Sequence, residues 1–215
     1  MDQKLLFLIN REWTCPALDR VMVVMSSAAL WVVPLVLACV AAFLRGGFKG
    51  RVFVVLALVA FGISDGVVGR TVKRSVGRFR PHQTEAGVRM LDLTAPAING
   101  LFTPLKEKIS LGSVSSEPGA EGRSFPSNHS SNTLAVAFIA SVLWRWGWLA
   151  FMPALLVSYS RVYVGAHWPS DVAAGVCIGA AIAAFVVVAA ELCWRRFGRR
   201  ISADAASRHP SLIFP

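Results

Sequence analysis

Long apolar runs alternate with short polar links along most of this chain. Residues 21–44 form the first, long enough to cross a hydrocarbon core of about 30 Å, and Pro34 inside it is a kink that a membrane helix tolerates. Residues 52–69 form the second; 133–144, 148–157 and 172–194 form the third, fourth and fifth. The fourth is short and needs its flanking residues to span. Residues 2–12 mix apolar and charged positions over too short a stretch to cross, which suits a helix lying in the membrane interface. From 82 to 125 the apolar periodicity is lost, and this stretch reads as a long loop outside the membrane, either a lid or binding element or a plain solvated connector. A short amphipathic helix is predicted inside it over 104–111 (PLKEKISL). The pattern as a whole predicts an all-α fold: a polytopic bundle of about five transmembrane helices, an N-terminal interfacial helix and a long outer loop, in one membrane-embedded domain over 1–215. There is no internal repeat, and no cleavable signal peptide is expected, so the first apolar helix would serve as the insertion signal.

Composition agrees with a membrane protein. The chain is 55% hydrophobic and 16% charged, with mean hydropathy +0.56. Its 22 Lys and Arg against 12 Asp and Glu give a net charge of +10. Such a surplus often marks a nucleic-acid binder. Here the basic residues lie between and beside the apolar runs, so membrane orientation and an anionic substrate account for them better, and no nucleic-acid partner is expected. Arg45, Lys49 and Arg51, then Arg145, then Arg195, Arg196, Arg199 and Arg200 fall at one set of helix ends. The positive-inside rule makes those ends cytoplasmic and puts the 82–125 stretch on the outer face. The four cysteines, Cys15, Cys39, Cys177 and Cys193, show no metal-ligand spacing. Asp65 inside the second run is costly at membrane depth; it reads either as a structural polar contact or as support for a nearby site.

Three polar motifs stand at the outer ends of the apolar runs. The first is Lys73-Arg74-Ser75-Val76-Gly77-Arg78-Phe79-Arg80-Pro81. On a helix Lys73 and Arg80 would share a face, with Pro81 ending the helix there. Two cations on one face suit a phosphate, which Arg grips bidentately. The bland alternative, a basic flank, is less expected on the non-cytoplasmic side. The second motif is Ser124-Phe125-Pro126-Ser127-Asn128-His129, just before the third run. Ser127 is a candidate N-cap, and the free N–H groups of a helix start form an anion site, with His129 in its first turn. Simple capping beside a surface histidine would give the same pattern. The third is Ser160-Arg161-Val162-Tyr163-Val164-Gly165-Ala166-His167-Trp168-Pro169-Ser170-Asp171. Asp171, four residues after His167, is within reach of a carboxylate–imidazole hydrogen bond, which fixes the tautomer and leaves the other nitrogen nucleophilic. A metal site built from His129, His167 and Asp171 is the competing chemistry. It leaves Lys73, Arg80 and Arg161 crowding a cation without reason.

Lys73-x6-Arg80-Pro81, Pro126-Ser127-Asn128-His129 and Ser160-Arg161-x5-His167-x3-Asp171, in that order and each beside an apolar run, resemble the three signatures of the type-2 phosphatidic acid phosphatase superfamily. Asn128 departs from the glycine most common there; Asn is the residue other than glycine that best tolerates positive φ. The resemblance implies a lipid phosphatase working without metal or other cofactor. His167 would attack phosphorus and form a phosphohistidine, with Asp171 orienting it. His129 would protonate the leaving oxygen and then activate water. Lys73, Arg80, Ser127, Asn128 and Arg161 would hold the phosphate. The partners implied are a phosphorylated membrane lipid and the bilayer. The five-span plan, with Leu8-Ile9-Asn10 and Leu18-Asp19, also resembles bacterial undecaprenyl-pyrophosphate phosphatases, which implies a multi-pass protein of the inner membrane with its site facing the periplasm or exterior. Phosphatidic acid, phosphatidylglycerol phosphate and lipid A phosphates stay open as substrates. Soluble haloperoxidases of the same superfamily are excluded by the apolar runs. A transporter or scaffold for anionic lipid would have no use for both histidines and Asp171.

Overall fold

Polar side chains reaching across from distant segments decide where several helices of this chain stop. The computed structural model describes residues 1–94, 99, 102–112 and 123–213, with the backbone alone at 67–69. The first apolar run is two helices rather than one. Pro16 opens α2 (Pro16–Ser26), the chain turns extended at Ser27, and α3 (Ala28–Arg45) follows. The break has a physical cause. Arg161 Nη1 donates to the Ser26 carbonyl at 3.1 Å and also to the Ser26 hydroxyl. Trp31 Nε1 donates to the Val24 carbonyl at 2.9 Å. One long-range donor and one local donor thus replace the ladder the helix gives up.

α4 (Gly47–Phe61) continues through a wide π-helical segment, Gly62–Gly69, into α5 (Arg70–Val76). Such widened turns recur where a helix must present side chains to a site. Lys73 and Arg80 do not share a helical face as the spacing predicts. Gly77, at φ +64°, ends α5 with its N–H on the Lys73 carbonyl at 3.1 Å, and Arg80 is extended. Pro81 then opens the single turn α6 (Pro81–Thr84).

The 104–111 segment is a strand, not a helix. β1 (Ala86–Leu93) and β2 (Leu105–Leu111) form an antiparallel hairpin, with Arg89 opposite Ile109 and Leu93 opposite Leu105. LKEKISL alternates as well as a strand does, and a ladder partner decides between the two periods. The hairpin is clamped to the body by Asn10, buried completely. Asn10 Nδ2 donates to the carbonyls of Arg89 (2.9 Å) and Tyr163 (2.6 Å), and its Oδ1 accepts from Arg89 N–H (2.8 Å). Asp19 accepts from Arg89 Nη2 at 2.9 Å and from the Tyr163 hydroxyl at 2.7 Å. The N-terminal segment, α1 (Asp2–Phe7) with a π turn over Leu8–Glu12, buries Leu6 and Ile9 among Val88, Leu91, Tyr163 and Trp168. It is thus packed onto the hairpin and the third motif as well as amphipathic.

The remaining helices are α7 (Asn128–Leu143), α8 (Phe151–Tyr163), α9 (Pro169–Ile201) and the short α10 (Ala203–Arg208). Leu56 and Ala60 of α4 meet Ala135, Ile139 and Leu143 of α7 and Ile182, Ala183 and Val186 of α9. Between α7 and α9 the backbones themselves touch. A Cβ on Gly175 would lie 2.6 Å from the Ser127 carbonyl oxygen, and one on Gly179 only 2.2 Å from that of Ser131. Two glycines four apart are the small-residue seam by which membrane helices approach closely.

Among the described residues, Ala28–Arg45, Gly47–Thr84 and Pro169–Ile201 are long and apolar enough to cross a membrane. α3 buries none of its residues, as a lipid-facing helix would. The basic helix ends come together at one end of the bundle. Phe48 stacks on His209 at 4.3 Å and meets Trp194 at 5.1 Å, and Phe53 sits edge-on to Trp144 at 5.1 Å. The three motifs lie at the other ends of these helices. All four cysteines are free.

Candidate active site

Asp171 organises the site from the first turn of α9. Pro169 occupies the first helical position, and Asp171, two residues on, turns back to accept the Trp168 N–H at Oδ2, 2.9 Å away. The carboxylate has no solvent exposure. Its Oδ1 accepts from Arg78 Nη1 at 2.8 Å, and its Oδ2 accepts from the Ser124 hydroxyl as well. An acceptor buried this deeply needs such donors.

The three motifs are stitched together through backbone. Ser124 N–H donates to the Arg78 carbonyl at 2.8 Å, joining the second motif to the first. Ser127 N–H donates to the Asp171 carbonyl at 3.1 Å, joining the second to the third. His167 N–H donates to the Arg161 carbonyl at 3.1 Å, folding the third motif back on itself.

His167 is buried in the loop between α8 and α9. The direct hydrogen bond to Asp171 expected from the spacing is not made: Nδ1 lies 3.8 Å from Oδ2. The Ser124 hydroxyl sits between them, 3.4 Å from Nδ1. Burial pushes the imidazole below its ordinary range, against the pull of Asp171, while the charges of Arg161 and Arg80 add to the fall. The ring is therefore neutral near pH 7.

His129 stands in the first turn of α7. Arg161, Arg80, Lys73 and the His167 ring are all near enough to act on its imidazole electrostatically. Both histidines and all three cations singled out in the sequence thus converge. Arg161 keeps its Nε buried and without a partner while Nη1 is held by Ser26. A cavity of about 210 Å³ adjoins this cationic side, lined by Arg80, Arg161, Ser26, His82, Met90 and Asp92. His129 and His167 are not part of its wall.

Ser127 takes the N-cap position of α7, but its side chain does not cap. Its hydroxyl accepts from Ser130 Oγ at 3.0 Å. The first N–H groups of α7 have no intrahelical acceptor, which leaves them for an anion. Asn128 is the first helical residue, so the positive φ it could have adopted is not used. Its Nδ2 donates to Asp65 Oδ1, and Ser64 pairs with Ser131 at 2.8 Å. Asp65 therefore ties the π segment before Lys73 to the start of α7. Among the described residues no group of three or more His, Cys, Asp and Glu could hold a metal ion. Asp171 spends both oxygens on Arg78, Ser124 and Trp168 instead.

Sequence reasoning gave Arg78 and Ser124 no role. Arg78 reaches Asp171, Ser170 (2.6 Å) and Asp2 (2.6 Å), and lies over the Trp168 ring at 5.0 Å. Its signal was present: a further arginine two residues before Arg80, at the outer end of the run. Ser124 carried none beyond lying next to the second motif.

Fold and site together describe a mostly helical protein with apolar spans, one end of which gathers two histidines and three cations near the start of α7. Residues 51–195 match the PAP2 superfamily, and the chain belongs to it. An undecaprenyl-diphosphatase of Sulfolobus acidocaldarius is 46% identical over 66 residues, 29% of this chain and 32% of that protein. A lipid A 4'-phosphatase of Bacteroides thetaiotaomicron is 27% identical over 185 residues, 83% of this chain and 72% of that protein. The chain thus spans only about a third of the length of the first of these relatives. In fold it is similar to the crystal structure of Aquifex aeolicus LpxE, with a TM-score of 0.61 at 21% identity over 86% of this chain and 93% of that one.

Proposed function

We propose that the protein is an integral-membrane lipid phosphatase acting through a phosphohistidine on His167. The observation that carries this reading is the convergence of His129, His167 and the charges of Lys73, Arg80 and Arg161 at one helix start. His167 Nε2 attacks phosphorus, the bond from phosphorus to the lipid-side oxygen breaks, and His129, protonated once the negative phosphate offsets the cations around it, gives that oxygen its proton. His129 then takes a proton from water, whose oxygen attacks the phosphohistidine, releasing inorganic phosphate and the free ring. Lys73, Arg80, Arg161, Ser127 and the first N–H groups of α7, from Asn128 on, hold the phosphoryl oxygens as charge develops.

The substrate we propose is undecaprenyl diphosphate, supported by the undecaprenyl-diphosphatase relative. A lipid A phosphate is the second reading, favoured by the longer match to a lipid A phosphatase. The test is phosphate release by purified protein from a panel of undecaprenyl diphosphate, lipid A, phosphatidic acid and phosphatidylglycerol phosphate, with and without exhaustive chelation. The expected result is release from the prenyl diphosphate above the others, unaffected by chelator and inhibited by vanadate, which imitates pentacoordinate phosphorus. Activity lost to chelator and restored only by a divalent metal would favour the metal reading.

In this reading α2 with α3 make one crossing, α4 with α5 another, and α7, α8 and α9 three more, a single domain of five crossings with α1 in the interface. The gathered basic ends support a cytoplasmic C-terminus and a site facing the periplasm or exterior, in a bacterial inner membrane. Of the loop read over 82–125, residues 95–98, 100–101 and 113–122 lie outside the described residues. A cysteine at exposed Lys106 on β2 should react with an impermeant thiol reagent on intact spheroplasts, in a background without the native four, and one at exposed Asp204 on α10 should not. The reverse pattern would turn the site to the cytoplasm.

A further inference from the structure

We infer that Ser124 is a positioning residue, its hydroxyl carrying the orienting hold of Asp171 to the nucleophile His167. This rests on the reading of His167 as the group that takes the phosphate.

Ser124 stands between a histidine and an aspartate that do not meet. His167 Nδ1 and Asp171 Oδ2 are 3.8 Å apart, beyond hydrogen-bond range. Ser124 Oγ lies 3.4 Å from that nitrogen and donates its own proton to that oxygen. The carboxylate cannot swing closer to the ring, because Oδ1 is held by Arg78 at 2.8 Å and Oδ2 by the Trp168 N–H at 2.9 Å. Ser124 itself is fully buried, and its N–H is fixed on the Arg78 carbonyl at 2.8 Å. With its hydroxyl proton spent on Asp171, Oγ can only accept from His167. The proton of the neutral ring is then on Nδ1, and the lone pair is on Nε2, the nitrogen left for phosphorus. The contact to Nδ1 is long in the free protein and would shorten as the ring gains positive charge on phosphorylation.

The arrangement differs in kind from a directly paired aspartate and histidine. A hydroxyl interposed between them sets the tautomer through a neutral group and leaves the carboxylate free to bind Arg78. Arg78 in turn holds Asp2 and Ser170, so the same chain of contacts reaches the N-terminal helix.

The experiment compares Ser124→Ala, Ser124→Thr and His167→Ala in the full-length purified protein, following kcat, KM and the acid limb of kcat/KM. Partners that fix a histidine's tautomer typically matter by about 10–100-fold. Ser124→Ala should therefore lose about 10–100-fold in kcat, with KM within about twofold. Its acid limb should move to lower pH, because the protonated ring loses more than the neutral ring when the path to the carboxylate is cut. Ser124→Thr keeps the hydroxyl and should recover most of the rate and the wild-type limb. If Ser124→Ala does not fold, Ser124→Cys, of similar size but a weak hydrogen-bonder, should show the same loss. Wild-type kcat and an unmoved acid limb in the Ala or Cys variant, beside an inactive His167→Ala, would overturn the role of Ser124 and leave the nucleophile standing. An active His167→Ala would instead overturn the nucleophile itself.

Discussion

His167→Ala is expected to abolish phosphate release while leaving the protein folded and extractable from the membrane as before. The ring is buried between α8 and α9, and the loop that carries it is held by backbone bonds, His167 N–H to the Arg161 carbonyl and Ser127 N–H to the Asp171 carbonyl. Truncation removes the ring but none of those bonds. Without the nucleophile the covalent route closes, and only direct attack by water in a cationic pocket is left. A fall of at least about 10⁴-fold in kcat corresponds to about 5.5 kcal/mol of transition-state stabilisation, well within what a nucleophile supplies. Asp171→Asn should fall less far. An amide cannot accept from Arg78, Ser124 and Trp168 together without turning its own N–H₂ against one of those donors, so both site order and rate should suffer. Turnover by purified His167→Ala at a wild-type rate would contradict the assignment.

Gly179→Leu is expected to lose activity by about 100-fold or more, although residue 179 is two turns from the nearest motif. Its Cβ would sit 2.2 Å from the Ser131 carbonyl oxygen, a backbone atom in α7 that cannot rotate away. The seam must open. Overpacking of this kind costs about 1–3 kcal/mol of stability. Catalysis suffers more than stability, because α7 carries His129 and α9 carries Asp171, and a misplacement of about 1 Å between reacting groups can cost about 100-fold. Leucine at lipid-facing Phe185, 68% exposed on the same helix, is the matched control and should be neutral. Unchanged activity in Gly179→Leu would show that the α7–α9 approach does not set the site.

The parts of this molecule legible in the sequence are those fixed by local spacing. Apolar runs marked the later helices, with ends off by up to seven residues, and the three motifs gave the side chains that converge, because each motif sits at a helix end whose direction the runs already set. What escaped depends on partners far along the chain. The helix break at Ser27 depends on Arg161, 135 residues from Ser26, as well as on nearby Trp31. LKEKISL carries both periods, and β1 chooses the strand. The Lys73–Arg80 spacing suggested one helix, but Gly77 between them forms a left-handed stop. Asp65 could be noticed as costly but not explained until Asn128 was seen against it. The interposed Ser124 was hidden for the same reason: its place between His167 and Asp171 follows from how the second motif docks on the third.

Passage of phosphate through a covalent bond to His167 is measured by a rapid alkaline-detergent quench of purified protein turning over a lipid labelled at the departing phosphate, followed by separation of protein-bound label. The expected label on the protein survives alkali, is released by mild acid as expected of a phosphoramidate, is lost in His167→Ala, and maps to the peptide containing His167. Full turnover with no protein-bound label at any quench time, or label retained in His167→Ala, would contradict it.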